Sequence, residues 1–454
     1  VFSLEPAERA EFGHYSTNLA LQLAKKVGKS PRAVAEELAV KIKAGDTKNI
    51  LARVEVAGPG FLNFWFSDAA LNQGFKEIVK LGARWGAKKI KKNRPTIIID
   101  YSHPNIAKPM SVAHLRSTVI GAALADIFKF LGWRVIGDNH LGDWGKQFGV
   151  LIAAYKDNLK SQKSNLKNEN KHLSIQDLMQ LYVEYTARMK EDSMLEDVAR
   201  AETKKLQDGD RENTRIWKQF YKISLDEFKK FYKRLGIRFN YYLGESFYKE
   251  MLPGIVAGAL ERGIATRSEG AVIIPIEGLP PFVIQKSDEA FLYATTDIAA
   301  VKYRVKRWNP DVILYVVDNG QSLHFEQLFR AVEKLGYKGN ATLFHAKFGL
   351  VLGEDMKKLS TRAGKHISLG EVLDEAVVRA RAIVDEKRKD LRERDRQKIA
   401  EVVGIAAVRY NDLSQNRQSD IAFQWDKMLN FEGNSAPYLL YSYARMRSIL
   451  RKGR

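Results

Sequence analysis

The sequence predicts an α/β protein, in which a mostly parallel sheet with crossover helices follows a small α+β module and precedes a helical region. Three observations carry that prediction. Apolar, β-rich runs alternate with helical stretches over residues 93–376, amphipathic spacing followed by two strand-like runs fills residues 1–92, and only helical periodicity is left over residues 377–454. With 454 residues the chain has room for roughly two to four domains with cores of their own. Its 45% hydrophobic and 28% charged residues are those of an ordinary soluble globular protein. No apolar run approaches the roughly 20 residues of a membrane-spanning helix, so no membrane segment is expected.

In the first module the spacing predicts helices over 18–26 and 31–43. Strands are predicted over 51–56 and 61–66, hinged at Ala57-Gly58-Pro59-Gly60. In the central region strands are expected over 96–101, 133–137, 272–276, 312–317 and 342–352, all in the parallel sheet. A polar, helix-rich stretch over 153–235 reads as an insertion into that domain, with the Lys/Asn-rich residues 156–172 forming an exposed loop or hairpin. The charge run over 385–398 is expected to be the solvated side of one long helix with i,i+4 pairs.

Composition excludes some chemistry before any motif is considered. The chain has no cysteine, which removes disulfides, thiolate zinc sites and cysteine nucleophiles, and fits a reducing, cytoplasmic setting. The 74 Lys plus Arg against 54 Asp plus Glu leave a charge of +20, which points to a polyanionic partner; a generally basic proteome is the bland alternative. Residue 1 is a valine followed by neither a secretory nor a transit pattern, so the start reads as a fragment boundary.

The densest chemistry lies over residues 97–149: a strand, a polar turn, a helix over 115–132, a second strand, and then Asn139-His140-Leu141-Gly142-Asp143-Trp144-Gly145. In an open α/β sheet ligands sit at the carboxyl edge of the strands, where helix N-termini present free N–H groups to phosphates. His114 falls at the start of the helix, where an imidazole can donate to an α-phosphate whose charge grows during reaction. Lys108 adds a point charge, and the small Ala113 lets a purine approach the backbone. One such histidine alone is more often a cap or a packing residue, and the combination is what favours a nucleotide site. Lys358, Ser360 and Arg362 form a second basic constellation, either a loop that closes on β- and γ-phosphates or a solvated turn.

These segments, in this order, resemble the two signature motifs of class I aminoacyl-tRNA synthetases. The surrounding residues are similar to the arginyl-tRNA synthetase family: GHYSTNLALQLAKK, VEVAGPGFLNF, SHPNIAKPMSVAHLRST, NHLGDWGKQFG, YLGES, LYATTDIAAVKYR, GQSLHFEQLF, LSTRAG, AVRYNDL and FEGNSAPYLLYSYAR. The resemblance implies a Rossmann-like catalytic domain, an N-terminal domain contacting tRNA, and the start of a helical anticodon-binding domain, most of which is absent here. It implies ATP-dependent activation of arginine, with Mg²⁺, and transfer to tRNA(Arg) by a monomer.

By the same resemblance Ser111, Ala113, His114 and His324 bind ATP, with His114, Lys108, Lys358, Ser360 and Arg362 catalytic. Asp100, Asn105 and Gln321 surround the α-amino group, Glu245, Tyr293 and Asp297 hold the guanidinium, and His14, Tyr15 and Asn18 contact tRNA. Two carboxylates and a phenol oxygen also suit a planar five-donor cation on chemical grounds. A tyrosine and an aspartate that merely cap and pack, and an exposed Glu245, are the alternatives. No protein-built metal site is expected. Where the family pattern is His-x-Gly-His, this chain has Ser111 and Ala113 before His114, His103 takes the place of a usual serine, and Thr361 that of a second loop lysine. A catalytically impaired RNA-binding relative, or another adenylate-forming ligase on this fold, are the competing expectations.

Overall fold

The computed structural model describes residues 4–90, 92–164, 173–352, 368–422, 424–430 and 432–453, with side chains up to residue 159 in the helix ending at 164. The chain divides into two compact units, Val1–Lys88 and Lys89–Arg454.

The first unit is a four-stranded antiparallel sheet with three helices. Its strands are β1 (Leu4–Pro6), β2 (Tyr15–Thr17), β3 (Leu51–Ala57) and β4 (Phe61–Phe66), in the order β1-β2-β4-β3. The helices are α1 (Leu19–Val27), α2 (Pro31–Gly45) and α3 (Asp68–Leu81). Ser30 starts α2 by accepting from the Ala33 N–H, with Pro31 in the first turn, where its missing N–H costs nothing. Ala20, Ala35 and Leu62 lie at the centre of the small core. Both β1 and β2 have only three residues, too few for a periodicity to show in the sequence.

The second unit opens with β5 (Thr96–Asp100), α4 (Ala113–Phe130) and β6 (Arg134–Asp138). Four helices follow: α5 (Lys146–Ser164), α6 (Ile175–Met189), α7 (Ser193–Gln207) and α8 (Arg211–Arg234). After α9 (Glu245–Tyr248) and α10 (Leu252–Glu261) come β7 (Thr266–Ser268), β8 (Ala271–Ile274) and β9 (Phe282–Gln285). The sheet is completed through α11 (Tyr293–Trp308), β10 (Val312–Tyr315), α12 (Ser322–Lys334) and β11 (Thr342–His345). The remainder is β12 (Val351–Leu352), α13 (Leu369–Lys387), α14 (Glu393–Leu413), β13 (Ile421–Ala422), α15 (Trp425–Met428) and α16 (Ala436–Lys452).

The parallel sheet has the order β11-β10-β5-β6, and its central strand β5 is buried along its whole length. Ile97, Ile98 and Ile99 are all fully buried, alternating between the two faces and their two cores. Each contributes about 1.5–3 kcal/mol of apolar burial. Asp100 and Asp138 therefore emerge side by side, paired in register at the carboxyl edge.

Several expectations are corrected. Residues 272–276 are not part of the parallel sheet: β8 sits between β7 and β9 in a separate antiparallel sheet. The reason is the Glu269-Gly270 turn, both residues with positive φ, which links β7 to β8 too tightly for a parallel crossover. The expected strand over 342–352 is two, since β12 leaves the sheet to pair with β13, and that strand interrupts the tail expected to be wholly helical. The charge run spans the turn between α13 and α14, and its Asp385 takes Arg381 from one helix and Arg396 from the other. Lys156 lies within α5, not in a loop, and reaches Glu202 at 2.7 Å and Glu212 at 3.0 Å; residues 165–172 lie outside the described ones.

Candidate active site

Between β5 and α4 the chain turns through Ser102 (φ 86°), His103 (φ 53°) and Ala107 (φ 62°), none of them glycine. Such backbone costs on the order of 1–3 kcal/mol per residue and persists only where its surroundings fix it. Here a buried polar network does so. The Ser102 N–H donates to Ser117 Oγ at 2.8 Å, and Ser117 Oγ donates to the Val316 carbonyl at 2.6 Å. Ser102 Oγ lies 2.8 Å from the Tyr232 hydroxyl, which accepts from Asn139 Nδ2 at 2.8 Å. The Ala107 N–H donates to Ser224 Oγ on α8 at 2.7 Å, so the helical insertion supports the turn.

His114 lies in the first turn of α4. Its Nδ1 accepts from the Ser111 N–H at 3.1 Å, with Ser111 Oγ 3.0 Å away. Nδ1 also lies 3.3 Å from the Ser111 carbonyl; with the shorter contact, in which Nδ1 accepts from the N–H, the neutral ring carries its proton on Nε2, which has no partner among the described residues. Burial holds this imidazole down to about 4, so at neutral pH it is an uncharged donor.

Beneath the turn Arg304, fully buried on α11, lies with Nη1 2.8 Å from Asp100 Oδ2 and Nη2 2.8 Å from Asp138 Oδ2. His103 Nε2 is 2.8 Å from Asp100 Oδ1. Burial by itself would raise Asp100, but Arg304 and His103 outweigh it and hold the carboxyl well below the usual range. Asp138 is raised, by burial and then by the Asp100 charge, despite the same arginine.

A second cluster is acidic. Asp143 is buried, accepts from the Ser246 N–H at 2.8 Å and its hydroxyl at 2.7 Å, and is raised by burial. A Cβ on Gly244 would collide with that carboxylate, so this close approach requires glycine. Glu245, the first residue of α9, is pushed up to about 8 by burial and by the charges of Asp143 and Asp297. Asp297 Oδ2 accepts from His324 Nε2 at 2.7 Å, and the Tyr293 ring packs on His324 with centroids 4.9 Å apart. Three carboxylates thus share one low-dielectric region, and a cation placed among them would relieve their repulsion.

Comparison with known proteins agrees with this geometry. A family model described as tRNA synthetases class I (R), catalytic domain, matches residues 77–425, and another, the arginyl tRNA synthetase N terminal domain, matches residues 2–66. The chain is 45% identical to an arginine–tRNA ligase of Fusobacterium nucleatum over 449 residues, which is 98% of this chain and 76% of that protein. The chain belongs to the arginyl-tRNA synthetase family. An arginine–tRNA ligase of Klebsiella pneumoniae is 41% identical over 98% of this chain and 76% of that protein. The crystal structure of arginyl-tRNA synthetase from Plasmodium falciparum superposes with a TM-score of 0.79 at 31% identity, covering 99% of this chain and 77% of that one. For the Thermus thermophilus arginyl-tRNA synthetase the TM-score is 0.75 at 24% identity, covering 100% of this chain and 79% of that one, a likeness of fold.

Within this synthetase fold the expected residues fall into three groups. His114, Ser111, Ala113 and Lys108 lie on one turn, the last half-buried with its ammonium 5.2 Å from the centre of the Tyr182 ring. Tyr293, Asp297 and His324 form one contact set with Glu245 in electrostatic reach, His324 being bonded to Asp297. Asp100 is engaged on both oxygens by His103 and Arg304, Asn105 packs against Gly142, and Gln321 is exposed at the start of α12. Lys358, Ser360 and Arg362 lie outside the described residues.

In the first unit His14 Nδ1 accepts from the Phe66 N–H at 3.0 Å, Tyr15 packs edge-on to Phe66, and Asn18 accepts from Gln22 at 2.9 Å, all local contacts. The residues sequence reasoning missed are Arg304, Asp138, Asp143 and Arg116. Arg116, fully buried, donates to the carbonyls of Gly349 at 2.6 Å and Ser419 at 2.9 Å and pairs with Asp412. Arg304 stands among other basic residues in VKYRVKRW, so in the sequence it is easily taken for helix-surface charge.

Proposed function

We propose that the carboxyl edge of β5, β6 and β10 is where this arginine–tRNA ligase activates arginine on ATP and then passes it to tRNA(Arg). The observation that carries the reading is the acid cluster beside the signature turn: Glu245 is raised by burial and by the charges of Asp143 and Asp297, where a planar cation would neutralise it. A guanidinium would be held by Glu245, Asp297 and the Tyr293 hydroxyl. Loss of a donor would leave a buried carboxylate unpaired, which penalises lysine and shorter amino acids.

In the first step the arginine carboxylate attacks the α-phosphorus of ATP, the bond to the β-phosphate oxygen breaks, and pyrophosphate leaves. The His114 Nε2–H donates to the phosphate oxygens as their charge grows, and Lys108 adds a positive charge. The α-amino group would be met by Asn105 and Gln321, with Asp100 lending negative charge from its place between Arg304 and His103. In the second step the 3′-terminal ribose hydroxyl of tRNA attacks the arginyl carbonyl and AMP departs. Lys358, Ser360 and Arg362 are assigned to the leaving pyrophosphate by family likeness alone. Magnesium, if it enters with ATP, would supply positive charge that offsets the phosphates.

The test is pyrophosphate exchange into ATP with arginine and tRNA(Arg) present. Exchange that requires arginine and is not supported by lysine is expected. RNA binding with no exchange at any tRNA concentration would assign the chain to an RNA-binding role instead.

A further inference from the structure

Helix α8 of the insertion reaches two loops of the pocket at once. It buries Ile216, Phe220 and Phe228 in the core, and an apolar stripe of that kind needs no polar group. Three residues of α8 nevertheless direct one at a loop of the site. Trp217 donates its Nε1–H to the Asp143 carbonyl at 2.8 Å. Ser224, fully buried, accepts the Ala107 N–H at 2.7 Å, while its own hydroxyl donates to the Phe220 carbonyl at 2.7 Å. The Tyr232 hydroxyl lies 2.8 Å from Ser102 Oγ and accepts from Asn139 Nδ2 at 2.8 Å, and Asn139 Oδ1 accepts the His103 N–H at 3.2 Å.

These contacts divide between the two ends of the pocket. Ser102, His103 and Ala107 are the positive-φ residues of the signature turn, and α8 holds the first two through Tyr232 and the third through Ser224. Lys108 follows Ala107 directly. Asp143, held at its carbonyl by Trp217, accepts from the Ser246 N–H and hydroxyl, and Ser246 follows Glu245 on α9. The Glu245 N–H in turn donates to the Leu141 carbonyl of the same loop at 3.0 Å. We infer that α8 is a positioning element of the active site, with Ser224 and Tyr232 setting the nucleotide end and Trp217 the arginine end. The inference rests on the ligase reading given above and adds to it three residues that act through the loops they hold rather than on substrate.

Removing each polar group without its bulk separates positioning from folding. Ser224→Ala leaves the Ala107 N–H buried without that acceptor, Tyr232→Phe releases Ser102 and Asn139 but keeps the ring, and Trp217→Phe keeps an aromatic ring without the N–H. In pyrophosphate exchange with the full chain and saturating tRNA(Arg), Ser224→Ala and Tyr232→Phe are each expected to lower kcat/KM for ATP about tenfold, and Trp217→Phe to raise the KM for arginine about fivefold. Two backbone bonds join the loops, from the Ile106 N–H to the Gly142 carbonyl and from the Gly142 N–H to the Pro104 carbonyl, both at 3.1 Å. The other substrate should therefore shift by no more than about twofold in each variant. A helix that merely supports the fold would lower thermal stability and affect both substrates alike. Equal losses for ATP and arginine, a split in the reverse sense, or wild-type kinetics in all three variants would overturn the inference and leave the ligase reading intact. Should Ser224→Ala not fold, Tyr232→Phe decides the nucleotide end against Trp217→Phe. Failure of wild-type protein to exchange at all would overturn the reading and the inference with it.

Discussion

The two ends of the pocket solve opposite problems. At the end proposed for the nucleotide, His114 would donate to charge that develops in the reaction, and the backbone there is strained at Ser102, His103 and Ala107 and braced by buried hydroxyls. At the other end Glu245 on α9, Asp297 on α11 and Asp143 in the loop before α5 bring three carboxyl groups together, and burial with the charges of Asp143 and Asp297 raises Glu245. The first is paid for in backbone conformation and the second in electrostatic repulsion. On the proposed reading, an anionic ligand would be met by geometry fixed in advance and a cationic one by crowded carboxyl groups.

That contrast fixes the order of expected effects. Asp297→Ala removes one of the crowded acids and is expected to lower kcat/KM for arginine on the order of a thousandfold, as loss of a buried charge partner does. KM for ATP should change little, and equal losses for both substrates would dissolve the distinction between the two ends. His114→Ala should reduce kcat about a hundredfold, the usual cost of one preorganised donor, with arginine affinity measured by equilibrium dialysis nearly unchanged.

The pH dependence sharpens the comparison further. Glu245 is raised to about 8 in the unliganded protein, so below that pH a guanidinium must displace a proton. Arginine affinity should therefore rise about tenfold per pH unit up to that point and then level off, and Glu245→Gln should flatten the slope. The same shift acts on stability with the opposite sense. A carboxyl whose folded value exceeds its unfolded one binds more protons in the native state, so its contribution falls as pH rises from the ordinary carboxylate range to about 8. Thermal unfolding of wild type and Glu245→Gln across that window checks it. The smallest effect is expected from His324→Gln, about fivefold in the KM for arginine, because His324 orients Asp297 through one hydrogen bond. A loss in the KM for ATP instead would put His324 at the nucleotide end.

How much of this was legible in the sequence depends on the range of the forces involved. His114, Lys108 and Ser111 share one turn, and Tyr293 and Asp297 one helical face, so local spacing finds each set. That His324 bonds to Asp297 across 27 positions, or that Arg304 reaches back to Asp100 and Asp138, leaves no periodic trace. Strand content was readable from β-rich runs, but pairing was not. Whether β8 joins the parallel sheet turns on a two-residue link, and whether β12 follows β11 turns on a partner some 70 residues downstream.

By itself, then, the amino-acid order determined the alternating α/β plan, the signature turn with its helix, and the positive charge of +20, because these follow from side-chain spacing and composition along the chain. Only the tertiary structure decided which charges meet. Arg304 inside α11, Asp143 against Gly244 and Glu245 near Asp297 acquire their chemistry from burial, and burial is a property of packed neighbours rather than of any stretch of sequence.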